Sequence, residues 1–125
     1  MPREIVTSDR IAPSVGPFSP AVRAGGLLFL SGQVGLDPAS SRLVDGGVVA
    51  QTEQTFRNIA VLLEAAGKTL GDVVKANVYL ADMEDFATMN TVYARHFEAP
   101  YPARTTIQAA RLPLGAAVEI EVVAQ

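Results

Sequence analysis

The chain contains no cysteine, and its only histidine is His96. The first absence excludes a disulfide framework and a thiol nucleophile. The second removes the ligand sets from which zinc sites are usually built, so no metal site is expected. Together they argue against a conventional nucleophile–histidine triad. Charge is also scarce. Charged residues make up 18% of the chain against a usual quarter, with 10 Lys and Arg against 13 Asp and Glu and a net charge of −3. The basic residues are scattered and form no basic face, so no nucleic-acid partner is expected. Long apolar runs are missing as well. Leu27–Leu30 is far too short to span a bilayer. Met1-Pro2-Arg3-Glu4 leads into no apolar signal-peptide core. The expectation is a cytoplasmic protein with no membrane partner. No Walker loop, G-x-G-x-x-G or G-x-S-x-G pattern is present.

What is abundant is apolar surface: 49% of the residues are hydrophobic. A small domain with so few charges tends to hide surface against a partner, which points to an oligomer. The 125 residues fit one domain, 1–125. A chain of this size buries roughly two-thirds of its unfolded surface and needs no covalent staples.

The periodicity gives an order of elements. Residues 4–7 read as a short strand, and residues 11–20, with three prolines and Gly16, as irregular chain. Val22–Ala24 and Leu27–Gln33 flank Gly25-Gly26, whose freedom at positive φ suits a tight hairpin. Residues 37–41 form a second turn, and Gly46-Gly47 are turn glycines. Residues 48–66 form a helix with Val49, Phe56, Ile59, Ala60, Leu63 and Ala66 at helical spacing, ended by Gly67. Val73–Ala81 is a strand rich in β-branched residues. Asp82 caps a second helix whose apolar stripe is Phe86, Met89 or Asn90, Tyr93 and Phe97, with Pro100 and Pro102 as stops. Ala103–Arg111 and Ala117–Ala124 are strands joined by a turn at 112–115. The order predicts an α+β fold, one mixed sheet with two helices on one face. Val74, Ala76, Val78 and Leu80 are expected to oppose Val73 and Tyr79. Leu28 and Leu30 are expected to oppose Leu27 and Phe29. With both faces apolar, the face without helices needs cover, and self-association supplies it.

Two features carry chemistry. Arg104 enters a strand just after a proline-broken loop, and its guanidinium fork matches a carboxylate. A surface salt bridge is the plainer use for it. In Val118-Glu119-Ile120-Glu121-Val122 the alternation puts both glutamates on one face. They form either a polar strand surface or a base able to orient and deprotonate water. His96, late in the second helix with no visible partner, reads as structural.

At this point the chain resembles the RidA/YjgF/UK114 family from Ala12 to Ala124. Four blocks carry the resemblance: Gly16-Pro17-Phe18-Ser19-Pro20-Ala21-Val22, Leu30-Ser31-Gly32-Gln33, Phe86-Ala87-Thr88-Met89-Asn90-Thr91-Val92-Tyr93, and Pro102-Ala103-Arg104 with Leu112-Pro113 and Glu119-Ile120-Glu121. The resemblance implies a chorismate-mutase-like fold and a homotrimer with ligand clefts between subunits. It also implies hydrolytic deamination of reactive 2-imino and enamino acids, such as 2-iminobutanoate and 2-iminopropanoate, to 2-keto acids and ammonia. By the same match Arg104 holds the substrate carboxylate and Glu119 positions the attacking water. Phe18, Ser31, Gly32, Asn90 and Thr106 match the substrate cleft. No cofactor is implied. Phe18 departs from the family's usual tyrosine and Thr106 from a frequent cysteine. Three other readings stand beside this one. They are a pathway-specific deaminase of the same fold acting on a 2-aminomuconate-like substrate, a non-catalytic binder of a small carboxylate, and a ribonuclease or chaperone.

Overall fold

The computed structural model describes residues 2–125. Six strands, β1 (Glu4–Val6), β2 (Ala21–Ala24), β3 (Leu27–Leu30), β4 (Val73–Leu80), β5 (Ala103–Gln108) and β6 (Val118–Ala124), form one sheet in the order β1-β2-β3-β6-β4-β5. Two helices, α1 (Gly47–Ala65) and α2 (Phe86–Tyr93), complete the chain's main elements. β4 and β5 run parallel, and every other pairing is antiparallel. The α1 connection (β3 to β4) and the α2 connection (β4 to β5) step the same way across the sheet. Such crossovers are right-handed, so both helices land on one face. Phe56 of α1 and Tyr93 of α2 meet edge-on there, ring centroids 5.6 Å apart. The expected α+β architecture is the observed one.

The core lies between that face and the helices. Leu28, Leu30, Ala76, Val78, Leu80, Val118, Ile120 and Val122 point into it from the sheet, and Phe56, Ile59, Leu62, Leu63 and Met89 from the helices. The hairpin at Gly25-Gly26 has both glycines at positive φ, as the turn requires. Gly67, at φ 76°, ends α1 while the Lys68 N–H returns to the Leu63 carbonyl.

Four expectations are corrected. In β4 it is Val73 that is buried and Val74 that is exposed. The register slips between Val73 and Lys75, so Val74 is the extra residue of a bulge and the alternation starts afresh after it. On α1, Val49 is exposed, while Gln51, Thr52, Thr55 and Asn58 are buried. Thr52 and Thr55 donate to carbonyls of the helix itself, and Gln51 and Asn58 satisfy backbone of neighbouring chain that is not in a strand. Asn58 donates to the carbonyls of Val34 and Leu36, and Gln51 accepts from the Ala117 N–H. The second helix is shorter than its apolar stripe, ending at Tyr93, well before the prolines. His96 therefore sits beyond it, and it does have partners: it stacks on Phe56 and lies 3.2 Å from a Glu53 carboxylate oxygen. Finally, the open sheet face is mixed rather than apolar. Phe29 and Ile107 are exposed on it, but Asn77, Tyr79, Glu119 and Glu121 occupy its middle.

Candidate functional site

The segment after β3 is held rigidly. Gln33 pairs with Ile120 in both directions, and Gly35 lies so close to α1 that a Cβ there would come within 2.7 Å of the Gln51 carbonyl oxygen. Asn58 holds the two carbonyls noted above. This anchoring fixes Gly32 against β6, where an added Cβ would meet Glu119 Oε2 at 2.5 Å. Ser31 donates its hydroxyl to the Ser19 carbonyl at 2.6 Å, tying the segment to the proline-rich chain before β2. The result is a cavity of about 500 Å³. Phe18, Ser31, Gly32, Glu119 and Glu121 line it, with apolar walls from Ile11, Val15, Val34 and Leu114 among others.

Glu119 has no hydrogen-bond or ion-pair partner among the described residues. Burial, and after it the charge of Glu121, raises its pKa above the ordinary glutamate value. A half-buried, unpaired carboxylate of raised basicity, facing a cavity, is suited to accept a proton.

Arg104 is elsewhere. It pairs in register with Ala76, a core residue, whereas Glu119 pairs with Tyr79 on the opposite face. Its guanidinium lies 4.7 Å from the ring centroid of Tyr93 and 5.5 Å from that of Phe86, both on α2. It makes no ion pair among the described residues, so the surface salt bridge is not what occupies it. Its cation is held over two aromatic rings, and its N–H donors have no carboxylate partner among the described residues.

Around it is a group of polar atoms without partners. Among the described residues the buried, unpaired side-chain polar atoms are Asn90 Oδ1, Tyr93 OH and Thr106 Oγ1. Phe86, Asn90 and Tyr93 share one helix face by their i, i+4, i+7 spacing. Thr106 is two residues beyond Arg104 on the same face of β5. Buried polar groups are almost always paired, and three orphans on the elements that hold Arg104 call for partners that the single chain does not supply. Burial pushes the Tyr93 phenol above its usual pKa, with Arg104 pulling the other way.

The residues matched from the sequence thus fall into two sets. Phe18, Ser31, Gly32 and Glu119 are together in the cavity. Asn90, Arg104 and Thr106 are together under α2. The sheet lies between them, and one chain does not bring Arg104 and Glu119 to one ligand. Sequence reasoning missed Tyr93 and Phe86 as supports for Arg104, because an aromatic stripe on a helix reads as core. The available signal was Asn90, a polar residue inside that stripe.

Residues 7–125 match the endoribonuclease L-PSP family. The 2-iminobutanoate/2-iminopropanoate deaminase of Mus musculus is 44% identical over 122 residues, which are 98% of this chain and 90% of that protein. The crystal structure of RidA from the Antarctic bacterium Psychrobacter sp. PAMC 21119 superposes with a TM-score of 0.93 at 45% identity, covering 98% of both chains. That of E. coli TdcF with bound serine gives 0.90 at 34% identity and 97% of both chains. No helix among the described residues is long and apolar enough to cross a membrane.

Proposed function

The chain belongs to the endoribonuclease L-PSP family in its RidA/YjgF form, and we propose that it works as a homotrimeric cytoplasmic deaminase whose site is assembled between two subunits. It is a deaminase of reactive imines, hydrolysing 2-imino acids such as 2-iminobutanoate and 2-iminopropanoate to 2-keto acids and ammonia. One subunit supplies Arg104, Asn90 and Thr106, and its neighbour supplies Glu119, Ser31, Gly32 and Phe18. The observation that carries this reading is the pair of incomplete half-sites on opposite sides of one sheet. One is a guanidinium without an ion pair, on elements that also carry unpaired buried polar atoms, and the other a free carboxylate in an apolar-walled cavity. A 2-imino acid needs both, a clamp for its carboxylate and a base beside its C=N carbon.

In the reaction, Arg104 holds the substrate carboxylate. A hydrogen bond to a charged group contributes about 1.5–3 kcal/mol. Glu119 orients a water against C2 of the iminium and takes its proton as the C–O bond forms and the C=N π pair moves to nitrogen. The proton passes from Glu119 to that nitrogen, the C–N bond breaks, and ammonia leaves. The carbinolamine hydroxyl returns its proton to the Glu119 carboxylate as the C=O of the 2-keto acid forms, and Glu119 releases that proton to solvent before the next turnover. A positioned base typically contributes about a hundred- to ten-thousand-fold. Because a protonated imine already reacts with water, two charged groups suffice.

The test is a trapping assay. An amino-acid oxidase generates 2-iminopropanoate or 2-iminobutanoate in the presence of semicarbazide, and the protein lowers semicarbazone formation by consuming the imine. The expected result is a drop with the wild type that disappears in Arg104→Ala, while that variant keeps its fold and assembly. No drop with either imine overturns the reading and moves the search to 2-aminomuconate-like substrates.

A further inference from the structure

Glu121 stands two residues beyond Glu119 on β6, on the same face, and both line the cavity. Their surroundings differ. Glu121 Oε1 accepts hydrogen bonds from Tyr79 OH at 2.5 Å and from Asn77 Nδ2 at 3.1 Å. Glu119 accepts none among the described residues. In the β4–β6 register Asn77 is opposite Glu121 but Tyr79 is opposite Glu119. The phenol therefore leans diagonally past its own cross-strand partner to reach Glu121. Both donors on this strand serve one carboxylate and leave the other bare.

We infer that Glu121, fixed by Tyr79 and Asn77, is a positioning residue for the deamination: it takes both of these donors and leaves the Glu119 carboxylate free and turned toward Gly32 and the cavity. Two donors hold the Glu121 carboxylate in place. A fixed carboxylate beside Glu119 disfavours a second negative charge there, so Glu119 accepts a proton more readily. Tyr79 fits this division. Its pKa is pushed up to about 12, first by the hydrogen bond to Glu121, then by burial and by the charges of Glu121 and Glu119. The phenol thus stays a neutral donor throughout the working range. Burial and the Glu121 charge raise Glu119 in turn.

Within its own subunit the other elements around Glu119 bring no competing charge, and the cation that the proposed trimer adds is the neighbour's Arg104. Residues 11–20, 31–36 and 113–115, which wall the cavity, hold no ionisable side chain. Lys75, on the same face of β4, donates its amino group to Thr105 on β5 instead.

This inference rests on Glu119 being the base, and the experiment separates the two. The full-length protein is labelled with ¹³C at glutamate carboxyls and titrated by NMR, with the Glu119 signal identified by its loss in Glu119→Gln. The pH dependence of imine consumption is recorded in parallel, with the uncatalysed rate subtracted at each pH. In Glu121→Gln the Glu119 midpoint moves to lower pH and the acid limb of the rate profile moves with it, with turnover at neutral pH falling about tenfold or less. Glu121→Asp, which keeps the charge, restores both. An unmoved Glu119 midpoint in Glu121→Gln overturns the inference. A midpoint that moves without the acid limb overturns the catalytic role of the pair and the base role of Glu119 together. Should Glu121→Gln fail to fold, Tyr79→Phe keeps both carboxylates and removes the nearer donor. Glu121 is then no longer held, and the Glu119 midpoint moves to lower pH. An unmoved Glu119 midpoint in Tyr79→Phe overturns the inference.

Discussion

The backbone of Gly32 lies against the carboxylate of Glu119, so near that a methyl group at position 32 would be 2.5 Å from Glu119 Oε2. The obstacle is the tip of a flexible side chain, and Gly32 is not at positive φ. Gly32→Ala should therefore fold and assemble normally while driving the carboxylate aside. A displacement of about an ångström at a catalytic group costs on the order of a hundredfold. The check is kcat for 2-iminopropanoate beside the melting temperature. A large drop in melting temperature with unchanged kcat per folded molecule contradicts the expectation.

Tyr93 holds Arg104 by its ring and carries a buried, unpaired hydroxyl. The two parts separate by substitution. Tyr93→Leu removes the ring beneath the guanidinium, a contact worth roughly 0.5–2 kcal/mol, and should raise KM several-fold. Tyr93→Phe keeps the ring and deletes a buried hydroxyl that has no partner in the chain. It should leave stability unchanged or improved, because no intramolecular hydrogen bond is lost. Steady-state kinetics on both variants decide it. Equal KM values for Tyr93→Leu and wild type refute the support role.

Glu119 should cost the fold stability. Its folded-state pKa is raised, chiefly by burial. Below the ordinary glutamate pKa the group is protonated in both folded and unfolded chains, and nothing is lost. As pH rises through the folded-state value, the folded chain must ionise a carboxylate that the unfolded chain ionises more easily, and stability falls. Glu119→Gln, always neutral, should thus melt at a higher temperature than wild type at pH 7 and at the same temperature below about pH 4. Its turnover should fall about a hundred- to ten-thousand-fold. Thermal denaturation at both pH values tests the sign; equal melting temperatures at pH 7 refute it.

The division of Arg104 and Glu119 between subunits predicts complementation. Arg104→Ala and Glu119→Gln are each inactive alone. Co-expressed, they form mixed trimers in which some interfaces join an intact Arg104 from one subunit to an intact Glu119 from the other. With random assembly about a quarter of the interfaces are complete, so activity should return to roughly a quarter of wild type. Assay of purified mixed oligomers, with the separate variants mixed after purification as the baseline, measures this. No recovery in confirmed mixed trimers rules out the shared site.

Much of this was legible along the chain. The hairpin at Gly25-Gly26 and the end of α1 at Gly67 follow from local backbone preferences, which act over a few residues; Asp82, expected to cap the second helix, instead caps the 3-10 turn Met83–Asp85, and α2 starts after Asp85. Glu119 and Glu121 share a face because strand side chains alternate. The bulge at Val74 was not legible. It depends on how β6 pairs with β4, and nothing in Val73-Val74-Lys75 marks the slip. Nor were the polar residues of α1, whose burial is set by chain that arrives from 31–36.

The elements, the α+β architecture and the residue types available for chemistry follow from neighbours along the chain, because periodicity, capping and strand alternation are local. Which residues meet depends on packing. Packing set Arg104 over the Tyr93 and Phe86 rings of α2 and left Asn90, Tyr93 and Thr106 with unpaired polar atoms. It pressed Gly32 on Glu119 and gave both donors of β4 to Glu121. It also put Arg104 and Glu119 on opposite sides of the sheet. The physical reason is that their facing depends on the registers of β5 against β4 and of β4 against β6, and pairing between strands distant in sequence is fixed by the packed sheet as a whole.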